Sequence, residues 1–235
     1  MINGFLLVHK DSGITSSRVV QIIKKKFNLK KVGHLGTLDP MATGLLIIAV
    51  NRATKFASLL LQSEKSYRAE VTLGTQTDTD DAEGEVISSK NIHQNKSEVK
   101  EILLTFLGDS DQLPPNYSAL KHKGKPMYKY ARDGIKVKKP ARKIFIKNIN
   151  NIEINLPKVS FDIKCSKGTY IRSVARDLGL KLGCGAHLSK LIRTSQEKFK
   201  LSDACSLNDI SLEKLISLEN AFEDLDCIQL NECDA

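Results

Sequence analysis

The sequence predicts a mixed α+β domain on a largely antiparallel central sheet flanked by helices, and three observations carry that expectation. Apolar runs of strand length recur at 1–8, 45–50, 67–73, 85–89 and 159–165. Stretches with apolar residues at helical spacing stand between some of them, without regular strand–helix–strand alternation. Glycine, proline and small polar residues punctuate the joins.

Taken in order, residues 1–8 read as a first strand, because the N-terminus lacks the basic stretch of a signal peptide. Thr15, Ser16 and Ser17 offer caps for a helix reaching Phe27, with Val19, Ile22, Ile23 and Phe27 on one face. Its end is basic (Lys24, Lys25, Lys26, then Lys30 and Lys31), which suits a helix C-terminus and also a phosphate-facing role. Residues 33–44 follow, with Gly33, Gly36 and Gly44 around Asp39-Pro40. Glycine permits conformations other residues resist, and proline pushes Asp39 out of the α region. This predicts a stiff bent loop presenting one carboxylate, anchored on the buried strand 45–50. Residues 53–61 read as helical, and 67–73 and 85–89 as strands joined by the polar loop 74–84. The carboxylates of that loop lack the spacing of a calcium loop. Ser97 is the expected cap of a helix over 98–107. Residues 159–165 alternate as a strand and hand over to an amphipathic helix marked by Ile171, Val174, Ala175, Leu178 and Leu182, ended by Gly183.

The chain has 235 residues, 41% of them hydrophobic, enough for a substantial core. No apolar run is long enough to span a membrane. The five cysteines, Cys165, Cys184, Cys205, Cys227 and Cys233, are odd in number and show no Cys-x-x-Cys spacing, which points to a reducing, cytoplasmic setting without disulfides or zinc. Nine acidic residues against one lysine lie between 203 and 235, so with a net charge of +9 the first 202 residues carry +17. A body that basic suggests a polyanionic partner. The charge clusters: residues 121–143 hold ten lysines and arginines, one acid, and the interleaved Tyr128 and Tyr130. Cations there would meet phosphates and rings would stack on bases. With Gly124, Pro126, Gly134 and Pro140, this stretch is expected to be a mobile insertion. No nucleotide-binding glycine motif appears, so no nucleotide cofactor is indicated.

The string Gly33-His34-Leu35-Gly36-Thr37-Leu38-Asp39-Pro40-Met41-Ala42-Thr43-Gly44 resembles the signature of the TruB family of transfer-RNA pseudouridine synthases. Three further segments are similar to that family in the same order: Ser66-Tyr67-Arg68, Lys167-Gly168-Thr169-Tyr170-Ile171-Arg172, and 183–193. The resemblance spans about residues 1–202, leaving 203–235 as an acidic segment too short to be the RNA-binding domain that ends longer relatives. The chain departs from the family where His9-Lys10-Asp11-Ser12-Gly13 lacks the usual proline.

The resemblance implies the pseudouridine synthase fold with a thumb-like basic insertion. It implies isomerisation of uridine 55 in the T-loop of transfer RNA by base flipping, in a monomer without metal or cofactor. It implies that Asp39 is the nucleophile or base, that Arg172 holds it ionised, and that Tyr170 or a water takes the carbon-5 proton. Tyr67 would stack on the uracil, Leu191 would line its pocket, Arg193 would sit near phosphate, and His34 would lie against the RNA. Lys10 and Lys55 match lysines near the site. Two alternatives stand beside this reading: a guide-RNA-dependent pseudouridine synthase, and a non-catalytic protein that helps transfer RNA fold.

Overall fold

A computed structural model describes residues 2–224 except 119, 123, 136, 138 and 139, with the side chains of Lys121, His122, Tyr128 and Arg132 also outside the description. The chain opens with β1 (Gly4–Lys10), α1 (Ser16–Lys26), β2 (Val32–His34) and β3 (Thr43–Val50). A 3-10 turn over Asn51–Phe56 leads into α2 (Ala57–Leu61) and β4 (Lys65–Leu73). A ribbon of β5 (Thr75–Thr77) and β6 (Val86–Ser89) precedes α3 (Lys96–Leu104) and β7 (Gly108–Gln112). The basic insertion holds β8 (Lys121–His122), β9 (Lys125–Pro126) and α4 (Met127–Arg132). The chain then runs through β10 (Arg142–Asn155), β11 (Lys158–Cys165), α5 (Ile171–Leu182), β12 (Ala186–Gln196), β13 (Phe199–Lys200) and α6 (Leu218–Ala221).

One nine-stranded sheet organises the molecule in the order β1-β3-β12-β4-β11-β10-β7, with β2 beside β3 and β13 beside β12. All its pairings are antiparallel except β12 against β3, which is parallel at Ile192↔Thr43 and Arg193↔Gly44. The expected mixed, mainly antiparallel α+β architecture is what is found. α1, α3 and α5 bury their apolar stripes on one face, where Val19, Ile23, Val99, Leu103, Val174 and Leu178 meet the inward side of β4 and β11. On the other face Phe5, Leu45, Ile47 and Leu60 form a smaller cluster. β3 is covered on both sides, which is why its sequence is a continuous apolar run rather than an alternation.

Three local readings change. The helix expected at 98–107 runs over Lys96–Leu104, because Asn95 rather than Ser97 caps it: Asn95 accepts from the Glu98 N–H while the Glu98 side chain accepts from the Asn95 N–H. The segment 186–196 is a central strand, and 142–155 is a long strand that takes over the last part of the basic stretch. The Tyr128 ring, proposed for base stacking, lies outside the described side chains, while Tyr130 stands on α4 with the Lys125 ammonium 4.9 Å from its ring centre.

The described part of the acidic segment, up to residue 224, packs along β1, the edge strand. Phe5 and Ile216 exchange backbone hydrogen bonds of 2.8 Å, and Cys205 bonds the backbone of Leu7 and His9. Phe222 meets the Phe5 ring edge-on at 5.8 Å. An otherwise open sheet edge is thereby covered.

Candidate active site

The loop before β3 is held from behind by buried groups. Ser16, at the start of α1, donates through Oγ to the Leu38 carbonyl at 3.0 Å and accepts from the Leu38 N–H at 2.9 Å. The Lys10 ammonium donates to the carbonyls of Ile14 at 2.7 Å, Asp11 at 3.0 Å and Pro40 at 3.2 Å. Gly13 donates its N–H to the Pro40 carbonyl at 2.9 Å. Leu38 and Ala42 anchor the loop in the core. Burial pulls the Lys10 ammonium down to about 8, against the opposing pull of Asp39. Lys10 therefore braces the loop from within, its three donors committed to backbone, rather than forming the cavity wall.

Asp39 emerges from this frame against Arg172 of α5. Arg172 Nη2 donates to Asp39 Oδ1 at 3.2 Å. Arg172 Nε lies 2.9 Å from Asp39 Oδ2 as an ion pair, off the axis of a hydrogen bond. The rest of the guanidinium is spent on the Tyr117 carbonyl at 2.8 Å, the Thr79 carbonyl at 3.1 Å and Asp81 Oδ2 at 3.4 Å. Asp81 is itself fixed by the Thr79 hydroxyl at 2.6 Å and the Glu83 N–H at 3.1 Å. One turn along α5, Arg176 pairs with Asp80 at 3.2 Å. The carboxylates of the polar loop are thus placed as partners of two arginines. Burial pushes the Asp39 carboxyl above its ordinary value; Arg172 opposes the rise and Asp81 adds to it. Burial outweighs the ion pair in setting that shift, while the two Arg172 contacts fix the direction of the carboxylate.

Asp39 and Arg172 both line a cavity of 270 Å³ whose other walls include Tyr67, Tyr170, Leu191, Arg193 and Lys65. Tyr67 enters from β4, Leu191 and Arg193 from β12, and Tyr170 from the N-cap of α5, while loops such as 36–39 and 117–118 complete the wall. Burial raises the Tyr67 phenol to about 12 and also raises the Tyr170 phenol, which keeps both protonated and able to donate. Asp39 and Arg172 face a second, more open cleft as well, and His34 lines that cleft rather than the cavity. Burial lowers the His34 imidazole, so it is neutral. Lys55 stands on the exposed 3-10 turn after β3, and its side chain is not on the cavity wall. Arg193 is buried, donating to the Leu45 carbonyl at 2.6 Å and the Gly36 carbonyl at 3.1 Å, so it ties the loop to β12 instead of reaching a phosphate.

Three functional positions are not apparent from the sequence. Asp81 lies within a polar run that reads as a turn. Gln112, at the end of β7, clamps the backbone of Tyr170 with two bonds, accepting from its N–H at 2.8 Å and donating to its carbonyl at 3.1 Å. Lys65 lines the cavity; its place two residues before Tyr67 on one strand face is the available signal.

The mixed, mainly antiparallel sheet that carries this aspartate–arginine pair is the fold of a pseudouridine synthase. Residues 24–171 match the TruB family pseudouridylate synthase N-terminal domain, and 172–231 match the tRNA pseudouridylate synthase B C-terminal domain. The chain belongs to the TruB family. It is 46% identical over 93% of its length to the tRNA pseudouridine synthase B of Alkaliphilus oremlandii, covering 72% of that protein. To the protein of the same name from Francisella tularensis it is 48% identical over 93% of its length, covering 74%. Among solved structures, a chain of a Cbf5–Nop10–Gar1 complex superposes with a TM-score of 0.73 at 30% identity over 94% of this chain. A chain of an H/ACA RNP bound to a substrate RNA gives 0.66 at 29% identity over 88%. This chain spans 62% and 51% of the length of those two. The boundary between the two matched domains falls at the first turn of α5, and β12 beyond it lies inside the sheet, so the described residues of the two matched parts fold as one body. Among the described residues no helix is long and apolar enough to cross a membrane.

Proposed function

We propose that this chain isomerises uridine to pseudouridine in transfer RNA, at position 55 of the T-loop, acting as a cytoplasmic monomer on RNA alone. The single observation that carries this is the Asp39–Arg172 pair, its carboxylate fixed at two points on the rim of a cavity sized for one ring. The curated relatives bear the matching name, and the free thiols of Cys165, Cys184 and Cys205 suit a reducing compartment.

A base in a folded loop reaches such a cavity only by leaving its stack, at a cost of about a few kcal/mol. Contact with the Tyr67 ring and with basic groups around the rim offsets that cost. Asp39 then acts on the sugar, by attack or by removing the 2′-proton, while Arg172 keeps its oxygens aimed. The uracil turns in the cavity and rejoins the sugar through carbon 5. A water takes the carbon-5 proton, since the Tyr170 phenol is held protonated and can only donate, and Leu191 supplies an apolar wall that lets the ring rotate. His34, on the neighbouring cleft, faces the nucleotides that flank the flipped base. On this reading residues 1–202 are the catalytic unit, and the described part of 203–235, up to 224, covers the edge of its sheet.

The test is tritium release from transfer RNA labelled at carbon 5 of uridine, with wild type and Asp39→Asn side by side. The wild type releases tritium with no cofactor added. Asp39→Asn binds the RNA with unchanged affinity and releases none, a loss of at least about 10⁴-fold, the scale of removing the acting group of a constellation. Binding without release by the wild type would instead favour a role in RNA folding.

A further inference from the structure

Two cations line the cavity together, with Glu197 acting on Lys65 only at a distance. Lys65, the first residue of β4, is 9% exposed, and among the described residues its ammonium donates to the carbonyls of Ser63 at 2.9 Å and Leu61 at 3.4 Å. Arg193 is 1% exposed and is held by the Leu45 and Gly36 carbonyls and the Tyr67 phenol, all neutral. The two side chains converge beneath Gly36: a methyl group built there would sit 3.3 Å from Arg193 Nη1 and 3.5 Å from Lys65 Cε. Among the described residues neither makes a salt bridge. Buried charges are ordinarily paired, and an unpaired one costs free energy unless something arrives to meet it. Here two remain side by side, and two of the three Lys65 N–H groups are spoken for.

Resting on the function proposed above, we propose that Lys65 is a catalytic residue whose third N–H donates to an exocyclic oxygen of the flipped uracil and stabilises the negative charge that forms when the base leaves the sugar. The bond from N1 of the base to C1′ breaks with its electron pair remaining on the base, spread over N1 and the exocyclic oxygens. The pair returns to C1′ as the bond to carbon 5 forms, and the proton from carbon 5 goes to the acceptor already named, so no external redox partner enters. A donor fixed in a dry wall, already desolvated, stabilises charge that exists only during reaction. Tyr67 and Leu191 line the same cavity, which suits a ring better than a phosphate.

Burial draws the Lys65 ammonium down to about 8, with Arg193 and Lys167 lowering it and Cys165 and Glu197 opposing. Loss of its proton above that value removes the charge. Single-turnover tritium release and RNA binding are measured for wild type, Lys65→Met and Lys65→Arg. Lys65→Met is slowed about 100-fold at saturating RNA, the scale of removing one donor to developing charge, with affinity within about threefold of wild type. Lys65→Arg regains at least about tenfold of that loss, since its cation is retained. The wild-type to Lys65→Met rate ratio falls above pH 8, a comparison in which the braced Lys10, also near 8, cancels. If Lys65→Met does not fold, Lys65→Arg alone is read: its rate relative to wild type rises above pH 8. An unchanged rate, a flat pH ratio, or lost affinity with an intact rate (a phosphate contact) overturns the proposal. Absence of tritium release by the wild type would fail the proposed reaction itself, a separate result.

Discussion

At the scale of single residues, Asp39 is poised between two opposing influences, and its neighbours set the acid side of activity. Burial and the Asp81 carboxylate raise its pKa, while Arg172 and Lys10 lower it, with burial the largest. Catalysis by the ionised form therefore declines as pH falls through a value above the ordinary carboxylate range. Asp81→Asn removes a like charge and leaves Arg172 less divided between two carboxylates, and both changes lower the Asp39 pKa. The acid limb of the single-turnover rate profile of Asp81→Asn is expected at lower pH than that of the wild type; a limb displaced upward would show that Asp81 acts through geometry alone. The site is legible in the sequence to the extent that its groups share a local string. Asp39 stands out because a rigid loop surrounds it, and Tyr170 and Arg172 because the string 167–172 that holds them resembles the family's. Asp81, Gln112 and Lys65 are not legible, because an aspartate in a turn, a glutamine ending a strand and a lysine opening one acquire roles only when distant segments fold against them.

At the scale of elements, the one parallel contact of the sheet positions the catalytic loop, and it depends on a glycine. Gly44 has a φ of +104°, and a methyl group there would lie 2.4 Å from the Arg193 carbonyl oxygen and 2.7 Å from its nitrogen. Both obstacles are backbone of a central strand, which cannot yield without moving β12. Gly44→Ala is expected to lose about 3 kcal/mol or more of stability, the sum of a left-handed strain and an overpacked contact. Gly13→Ala, with φ +81° and open space around it, carries the conformational strain without the clash and should lose about 1 kcal/mol. Urea midpoints of the two variants separate the causes; equal losses would remove the clash from the account. The same packing explains which strands can be read in advance. β3 announces itself by a continuous apolar run, and β4 and β11 by clean alternation. β12 and β10 do not, because bulges between Leu188 and Lys190, between Arg193 and Ser195 in β12, and two more in β10 shift the alternation between faces. β7, Gly-Asp-Ser-Asp-Gln, has no apolar residue and exists through its ladder with β10.

At the scale of the whole molecule, charge is segregated by architecture: the described part of the acidic segment lies along β1 at one edge of the sheet, while the basic insertion joins β7 to β10 at the other. A polyanion approaching the Asp39 cavity therefore meets a field that favours the insertion side. Affinity gained by neutralising phosphates releases counterions, so it falls with salt in proportion to the number of phosphates neutralised. Lys129, on α4, and Lys143, at the start of β10, are exposed and belong to no salt bridge among the described residues. Replacing both by glutamine is expected to reduce the slope of log affinity against log salt by about 1.4 to 1.8, since each phosphate left without its lysine accounts for about 0.7 to 0.9. Lys214→Gln removes a cation of the same sign from the acidic edge and should leave the slope unchanged, because no phosphate reaches that side. Net charge alone predicts that all three lysines contribute alike, whereas a directed surface predicts that only the two on the insertion side do. Binding of transfer RNA measured across a salt series with the double and single variants decides between them, and an equal effect per lysine would mean that the bound RNA extends over the acidic edge as well.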